Sequence, residues 1–129
     1  MKKSGLLNSE ITKVLADLRH TDQVVIGDCG LPVPENVKEI DLSLKLGTPS
    51  FKEVFDLLIE DMKVESAVLA TEIKENNPKV ESHIRNQIEG ISYVSHEEFK
   101  VLTQQAKAII RTGEATPYAN ILLQAGVIF

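Results

Sequence analysis

The chain has 129 residues, a formal net charge of −5, and 43% hydrophobic and 26% charged side chains, which fits one globular domain whose core needs no covalent staples. Its single cysteine, Cys29, excludes an intramolecular disulfide and suits a reducing compartment. Interspersed charges of negative sum argue against a nucleic-acid backbone or an anionic membrane as partner. With no apolar run of spanning or leader length, the expected location is the cytoplasm.

Leu6 and Leu7 lead into Asn8 and Ser9, either of which can cap a helix. Ile11, Val14, Leu15 and Leu18 then recur at three- and four-residue spacing, and the helix stops near Arg19-His20. Gln23 to Ile26 is a β-branched run ending in Gly27-Asp28-Cys29-Gly30, which places Asp28 at the C-terminal end of a strand. Leu31 to Pro34 cannot extend it, because two prolines remove donors and fix φ. Val37 to Leu42 is a second short strand. After the turn at Gly47-Thr48-Pro49, Ser50 and Glu53 form a capping box for a helix carrying Val54, Leu57, Leu58 and Met62. Ala67 to Thr71 is a strand with Glu72 at its end. Pro78 opens a helix through about Ile88 that Gly90 closes, and Ile91 to Val94 is the next strand. A second box, Ser95 with Glu98, starts a helix predicted to reach Lys107.

Two apolar strands close the chain, and between them lies a polar block holding Arg111, Thr112, Glu114, Thr116, Tyr118 and Asn120. The last strand runs to Phe129 without a hydrophilic tail, so that end is predicted to be tied down, in its own sheet or against another subunit. Strands alternating with helices predict a single domain over residues 1–129, α/β in class. It is read as a layered α/β/α domain with a mainly parallel sheet. Ligands of such sheets bind outside the carboxyl ends of the strands. Asp28, Glu72 and Ser95-His96 are delivered to that edge.

His20 can give or take a proton near neutral pH, or can be a helix-end histidine that favours the dipole. Asp28 can orient a histidine, accept from hydroxyl groups, or bond its own turn. His96 opens a helix whose positive end favours the neutral ring, and Lys100 shares its face four residues on; both can equally be solvated. Tyr118 and Asn120, two apart, point to one side if the segment is extended, which suits a polyhydroxy ligand. The bland alternative is a tyrosine packed on the core and an asparagine that starts a strand. Glu114 and Arg111 read as an ion pair holding the loop, Cys29 as a small buried filler and His83 as a surface residue. No phosphate loop, nucleophile elbow, dinucleotide fingerprint or zinc-ligand spacing is present.

RHTDQVVIGDCGLPVP at 19–34, SHEEFK at 95–100 and RTGEATPYANILLQAGVIF at 111–129 closely resemble the D-ribose pyranase family. KKSGLLNSEI and IDLSLKLGTPSF extend the resemblance over essentially the whole chain. Fucose mutarotases share the Gly-Glu and Tyr-x-Asn-Ile pattern but lack the wording that here reads DCGLPVP. The resemblance implies an isomerase that interconverts the pyranose and furanose forms of D-ribose in ribose catabolism, with no metal or cofactor. It implies His20 as proton donor, and Asp28, His96, Lys100, Tyr118 and Asn120 as the groups that hold the sugar. Ring-shaped homo-oligomers follow by the same resemblance, commonly decamers of two stacked pentamers with sites at subunit boundaries. Other readings are a mutarotase for another sugar such as L-fucose, or a non-catalytic sugar-binding accessory of transport. One departure is Arg19, where the family usually has glycine; it is strained only if φ there is positive, and otherwise favours the helix C-terminus.

Overall fold

The computed structural model describes residues Met1–Phe129. Asn8 caps α1 (Ser9–Asp17), its side-chain oxygen accepting from the Ile11 amide at 2.9 Å, so one otherwise orphaned helix donor is satisfied. At the other end the Arg19 guanidinium donates to the carbonyls of Ala16, Asp17 and Leu18, a cation at the negative end of the dipole. Arg19 has no positive φ; that conformation falls on Thr21, at 71°. Arg19 is therefore a helix-end residue, and no backbone strain is attached to it.

Six strands form one sheet: β1 (Gln23–Gly27), β2 (Lys38–Asp41), β3 (Val64–Ala70), β4 (Ile91–Val94), β5 (Ala108–Arg111) and β6 (Ile121–Ala125). Their order is β2-β5-β1-β6-β3-β4. β5 pairs parallel with both β1 and β2, and β3 pairs parallel with β4. β6 lies antiparallel between β1 and β3, so it alone runs against the others. The mainly parallel sheet read from the strand–helix alternation is present.

The remaining helices are α2 (Phe51–Asp61), α3 (Ile73–Asn76), α4 (Pro78–Gln87) and α5 (His96–Leu102). Val24 and Ile26 of β1 join a core of 22 buried residues with Ile11 of α1, Phe51, Phe55 and Leu58 of α2, and Ile84 of α4. Val25, between them, joins a smaller cluster with Leu31, Phe99 of α5, Ile109 and Leu122. Successive side chains of a strand point to opposite faces. A strand covered on both faces is therefore apolar throughout, as Val24-Val25-Ile26 is. Helices thus cover both faces, and the layered α/β/α reading holds.

Several boundaries differ from the sequence reading. β3 begins at Val64 rather than Ala67, because Val64 pairs with Ala125 across a register shift that the polar residues conceal. α5 stops at Leu102, not Lys107: the Thr103 hydroxyl donates to the Lys100 carbonyl at 2.6 Å, and a 3₁₀ turn follows over Thr103–Gln105. At its start Ser95 accepts from the Glu98 amide at 3.1 Å, whereas at α2 both bonds of the Ser50–Glu53 box form. The sheet holds the C-terminal segment only as far as Gly126, whose amide donates to the Lys63 carbonyl at 2.8 Å. Ile128 and Phe129 are 90% and 101% exposed, so anchoring of that end within its own sheet is not realised. No helix is long and apolar enough to cross a membrane.

Candidate functional site

The reversal of β6 brings the residues that precede it to the edge where the other strands end. Asp28 after β1, Glu72 after β3, His96 after β4, Arg111 at the end of β5 and Tyr118 to Asn120 before β6 share that edge. Asn120 is fully buried. Its Oδ1 accepts from the Asp28 amide at 2.8 Å and its Nδ2 donates to Asp28 Oδ2 at 3.0 Å. Asp28 Oδ1 accepts from the Gly30 amide at 2.9 Å, so Asp28 is also the turn former that its sequence suggests. Gly27 makes the approach possible: a Cβ there would lie 2.8 Å from a Leu31 methyl carbon and 3.3 Å from Asn120 Oδ1.

Tyr118 has φ 57°, a left-handed conformation rare for a side chain of this kind. The segment is therefore not extended, and the same-side spacing argument for Tyr118 and Asn120 does not apply. The turn points the two side chains at different partners. Asn120 engages Asp28, while the Tyr118 ring meets His96 edge-on, with centroids 5.1 Å apart at 80°. The His96 amide donates to both Glu72 carboxylate oxygens, at 3.1 and 3.0 Å, a negative charge at the positive end of α5. His96 Nδ1 is buried and has no hydrogen-bond partner, an uncommon condition for a buried polar atom. Lys100, one turn along α5, pairs with Glu97 at 2.7 Å, and this partner holds the Glu97 carboxyl below its ordinary range.

Arg111 and Glu114 do not form the expected ion pair. Arg111 lies in register with Asp41 of β2, and its Nη1 donates to Asp41 Oδ2 at 3.0 Å and to Ser43 Oγ at 3.1 Å. Its Nε donates to the Cys29 carbonyl at 3.0 Å, which pins the loop that carries Asp28. Glu114 instead accepts from the Phe51 amide at 2.9 Å, where the N-terminus of α2 favours a carboxylate. Cys29 is half-buried rather than a buried filler. His83 is partly buried, with Nε2 2.6 Å from Asp56 Oδ1 and its ring edge-on to Phe55, so it ties α4 to α2.

Asp28, His96, Tyr118 and Asn120 are thus assembled at one edge, with Lys100 on the same helix as His96. His20 is not among them. It precedes β1 whereas Asp28 follows it, and five residues of strand span about 17 Å. Asp28 therefore does not orient His20 within one chain. The His20 carboxylate partner is Glu65, with Nε2 2.9 Å from Oε1, and Gln124 Nε2 donates to Glu65 Oε2 at 2.8 Å. His20 lines a cleft of about 350 Å³ with Leu18, Arg19, Met62, Lys63 and the C-terminal residues from Ala125 to Phe129. Sequence reasoning missed Glu65, since no local pattern joins positions 20, 65 and 124. Glu72 was visible as a strand-end carboxylate, but its bond to His96 was not.

The chain matches the model of the RbsD / FucU transport protein family over residues 1–128. It is 60% identical to a D-ribose pyranase of Exiguobacterium sibiricum over 129 residues, covering 100% of both chains. A D-ribose pyranase of Staphylococcus haemolyticus is 57% identical with the same full coverage. Among solved structures, Bacillus subtilis RbsD complexed with D-ribose superposes with a TM-score of 0.97 at 56% identity, covering 100% of each chain. The fucose mutarotase of Streptococcus pneumoniae in complex with L-fucose gives a TM-score of 0.81 at 27% identity, with 95% of each chain covered.

Proposed function

Because the chain belongs to the RbsD / FucU transport protein family, we propose that it acts as a D-ribose pyranase, an isomerase that interconverts the pyranose and furanose forms of ribose. One observation carries this reading: full-length superposition at 56% identity on an RbsD that holds D-ribose, against 27% for the fucose-bound relative.

Ring interconversion passes through the open-chain aldehyde. Opening needs a proton delivered to the ring oxygen and one removed from the anomeric hydroxyl; closure through a different hydroxyl reverses both transfers. In sum the C1–O5 bond of the pyranose is exchanged for the C1–O4 bond of the furanose and the protons are returned, with no change of oxidation state, so the step needs no oxidant or reductant. His20 is the proposed acid, since an imidazole is suited to such transfers and a positioned acid supplies roughly 10²–10⁴-fold. Asp28 is the proposed acceptor for a sugar hydroxyl, with its carboxylate held by Asn120, whose amide is already engaged. His96 Nδ1, buried without a partner, is suited to a second hydroxyl. Tyr118 and Lys100 complete the proposed sugar-binding set.

His20 and Asp28 lie at opposite ends of β1, which supports a site completed by His20 from a second copy of the chain. Leu44, Leu46 and Phe129, at 82%, 79% and 101% exposure, offer apolar surface that such a copy would cover. We take the assembly to be a homo-oligomer, a decamer of two stacked pentamers, working in the cytoplasm ahead of a ribose-phosphorylating kinase.

The test is NMR magnetisation exchange on equilibrated D-ribose with catalytic amounts of the protein, using His20→Ala as control. Faster pyranose–furanose exchange that vanishes in the variant supports the reading. No acceleration, with ribose-induced shifts still present on the protein, overturns it in favour of a binding protein. No shifts at all would turn the test to L-fucose.

A further inference from the structure

We propose that Glu65 is a positioning residue for His20: with Gln124 behind it, the Glu65 carboxylate orients the imidazole so that Nε2 stays protonated and Nδ1 is the atom that exchanges the proton with the sugar. This rests on the reading of His20 as the acid.

Three independent features of the backbone converge on this pair. The pairing of β3 with β6 shifts register between Val64 and Ser66, so Glu65 occupies the irregular position. Such a bulge re-aims a side chain and recurs beside active sites. Thr21, directly after His20, has φ 71°, which a β-branched residue adopts only where its surroundings impose it. The surroundings are visible: the Thr21 amide donates to the Ala125 carbonyl at 3.0 Å and the Ala125 amide to the Asp22 carbonyl at 2.8 Å. The turn that carries His20 is therefore fastened to the end of β6. Gly126, next along, lies so close to the bulge that a Cβ there would be 3.2 Å from Glu65 Cβ.

The side chains then define the proton positions. Glu65 Oε2 is taken by the Gln124 amide at 2.8 Å, which leaves Oε1 for His20 Nε2 at 2.9 Å. These two hydrogen bonds, the one from His20 foremost, hold the Glu65 carboxyl below its ordinary value of 4.5. An ionised carboxylate only accepts, so Nε2 carries a hydrogen in either state of the ring: the doubly protonated ring gives up its Nδ1 proton, and the neutral ring left behind has its lone pair on Nδ1 to take one back. A histidine is useful for proton transfer only in the correct tautomer and orientation, which is what a partner on its other nitrogen provides. His20 and Glu65 are about half exposed, at 53% and 43%, so attraction between charges is screened. The effect of Glu65 is on geometry and tautomer.

The experiment compares Glu65→Ala, Glu65→Asp and Gln124→Ala with the unaltered protein and with His20→Ala. Ribose exchange is followed by NMR, and the imidazole ¹⁵N spectrum is recorded with His20 assigned by its loss in His20→Ala. In Glu65→Ala we expect kcat to fall about 10-fold, part of the roughly 10²–10⁴-fold of a positioned acid, with KM changed less than about twofold. The His20 ¹⁵N shifts should lose the Nε2–H signature. Glu65→Asp should recover part of both, and Gln124→Ala should show a smaller loss of the same kind. An unchanged kcat in Glu65→Ala, or an Nε2–H tautomer that persists without the carboxylate, overturns the proposal while leaving His20 as acid. Undiminished exchange in His20→Ala overturns the assignment of the acid itself, and with it the premise.

Discussion

Asn120 clasps Asp28 across 92 positions of sequence, one end of its carboxamide on the backbone amide and the other on the carboxylate. The pair joins the entrance of β6 to the exit of β1, neighbouring antiparallel strands. Asn120 is buried, and both ends of its carboxamide are taken up by Asp28.

Replacing Asn120 with alanine removes both bonds and leaves the Asp28 amide without its acceptor. A buried polar group stranded in this way costs about 1–3 kcal/mol. We expect Asn120→Ala to lower the urea midpoint by that amount of stability and to raise the KM for ribose, because Asp28 is free to turn. An unchanged KM would show that Asp28 needs no such support.

Glu72 receives the His96 amide on both oxygens, and hydrogen bonds to charged groups are worth about 1.5–3 kcal/mol. Glu72→Ala should therefore weaken ribose binding about tenfold, the equivalent of about 1.4 kcal/mol. Glu72→Gln, which keeps one acceptor oxygen, should lose less. Titrating ribose against the protein by NMR measures both; equal affinities for all three proteins would remove Glu72 from the site.

A site that spans two copies of the chain can be rebuilt from two defective ones. His20→Ala and Asp28→Asn chains, each inactive alone, should regain exchange activity when unfolded together and reassembled. Recovery is expected because some boundaries then combine an intact His20 with an intact Asp28. No recovery, with mixed assemblies demonstrated by mass, would show that no active site combines His20 of one copy with Asp28 of another.

Asp41 supplies a pH dependence. Hydrogen bonds from Ser43, and then from Arg111, hold its carboxyl below the ordinary value of 3.8. A folded-state pKa lower than the unfolded one gives a stabilisation fully present above the unfolded value and lost as pH falls through the folded one. Asp41→Asn should therefore unfold at lower urea than the unaltered protein at pH 7. The gap should close as the pH is taken below 3.8, and a constant gap from pH 7 to pH 3 would show that the charge contributes nothing.

Much of the fold is legible locally. The Ser50–Glu53 box, Asn8 before α1 and the β-branched run before Gly27 each mark an element with a few neighbouring residues. Of the two ends that were misread, one depends on a partner distant in sequence and the other on a local side-chain bond. Val64 joins β3 only because Ala125 lies beside it, and α5 gives way at Thr103 before the chain enters β5. In the site, strand-end positions made Asp28 and His96 visible, and helix spacing set Lys100 on the face of His96. The polar block before the last strand drew out Tyr118 and Asn120, and His20 stood out as a helix-end imidazole; the family resemblance added only the roles expected of them. The Arg111–Glu114 pair was plausible by proximity along the chain and yielded to Asp41, which the sheet register sets beside Arg111.

Periodicity, capping residues and turn residues act over a few positions, so the sequence by itself determined the element types, the α/β class and the edge that receives Asp28, Glu72 and His96. Family-specific wording carried the identity of the reaction. The reversal of β6, the grip of Asn120 on Asp28, the left-handed turns at Thr21 and Tyr118 and the meeting of His20 with Glu65 were decided by the tertiary structure alone. The reason is physical: each depends on how buried strands pair and on which polar groups must then be satisfied, and those partners lie tens of residues apart.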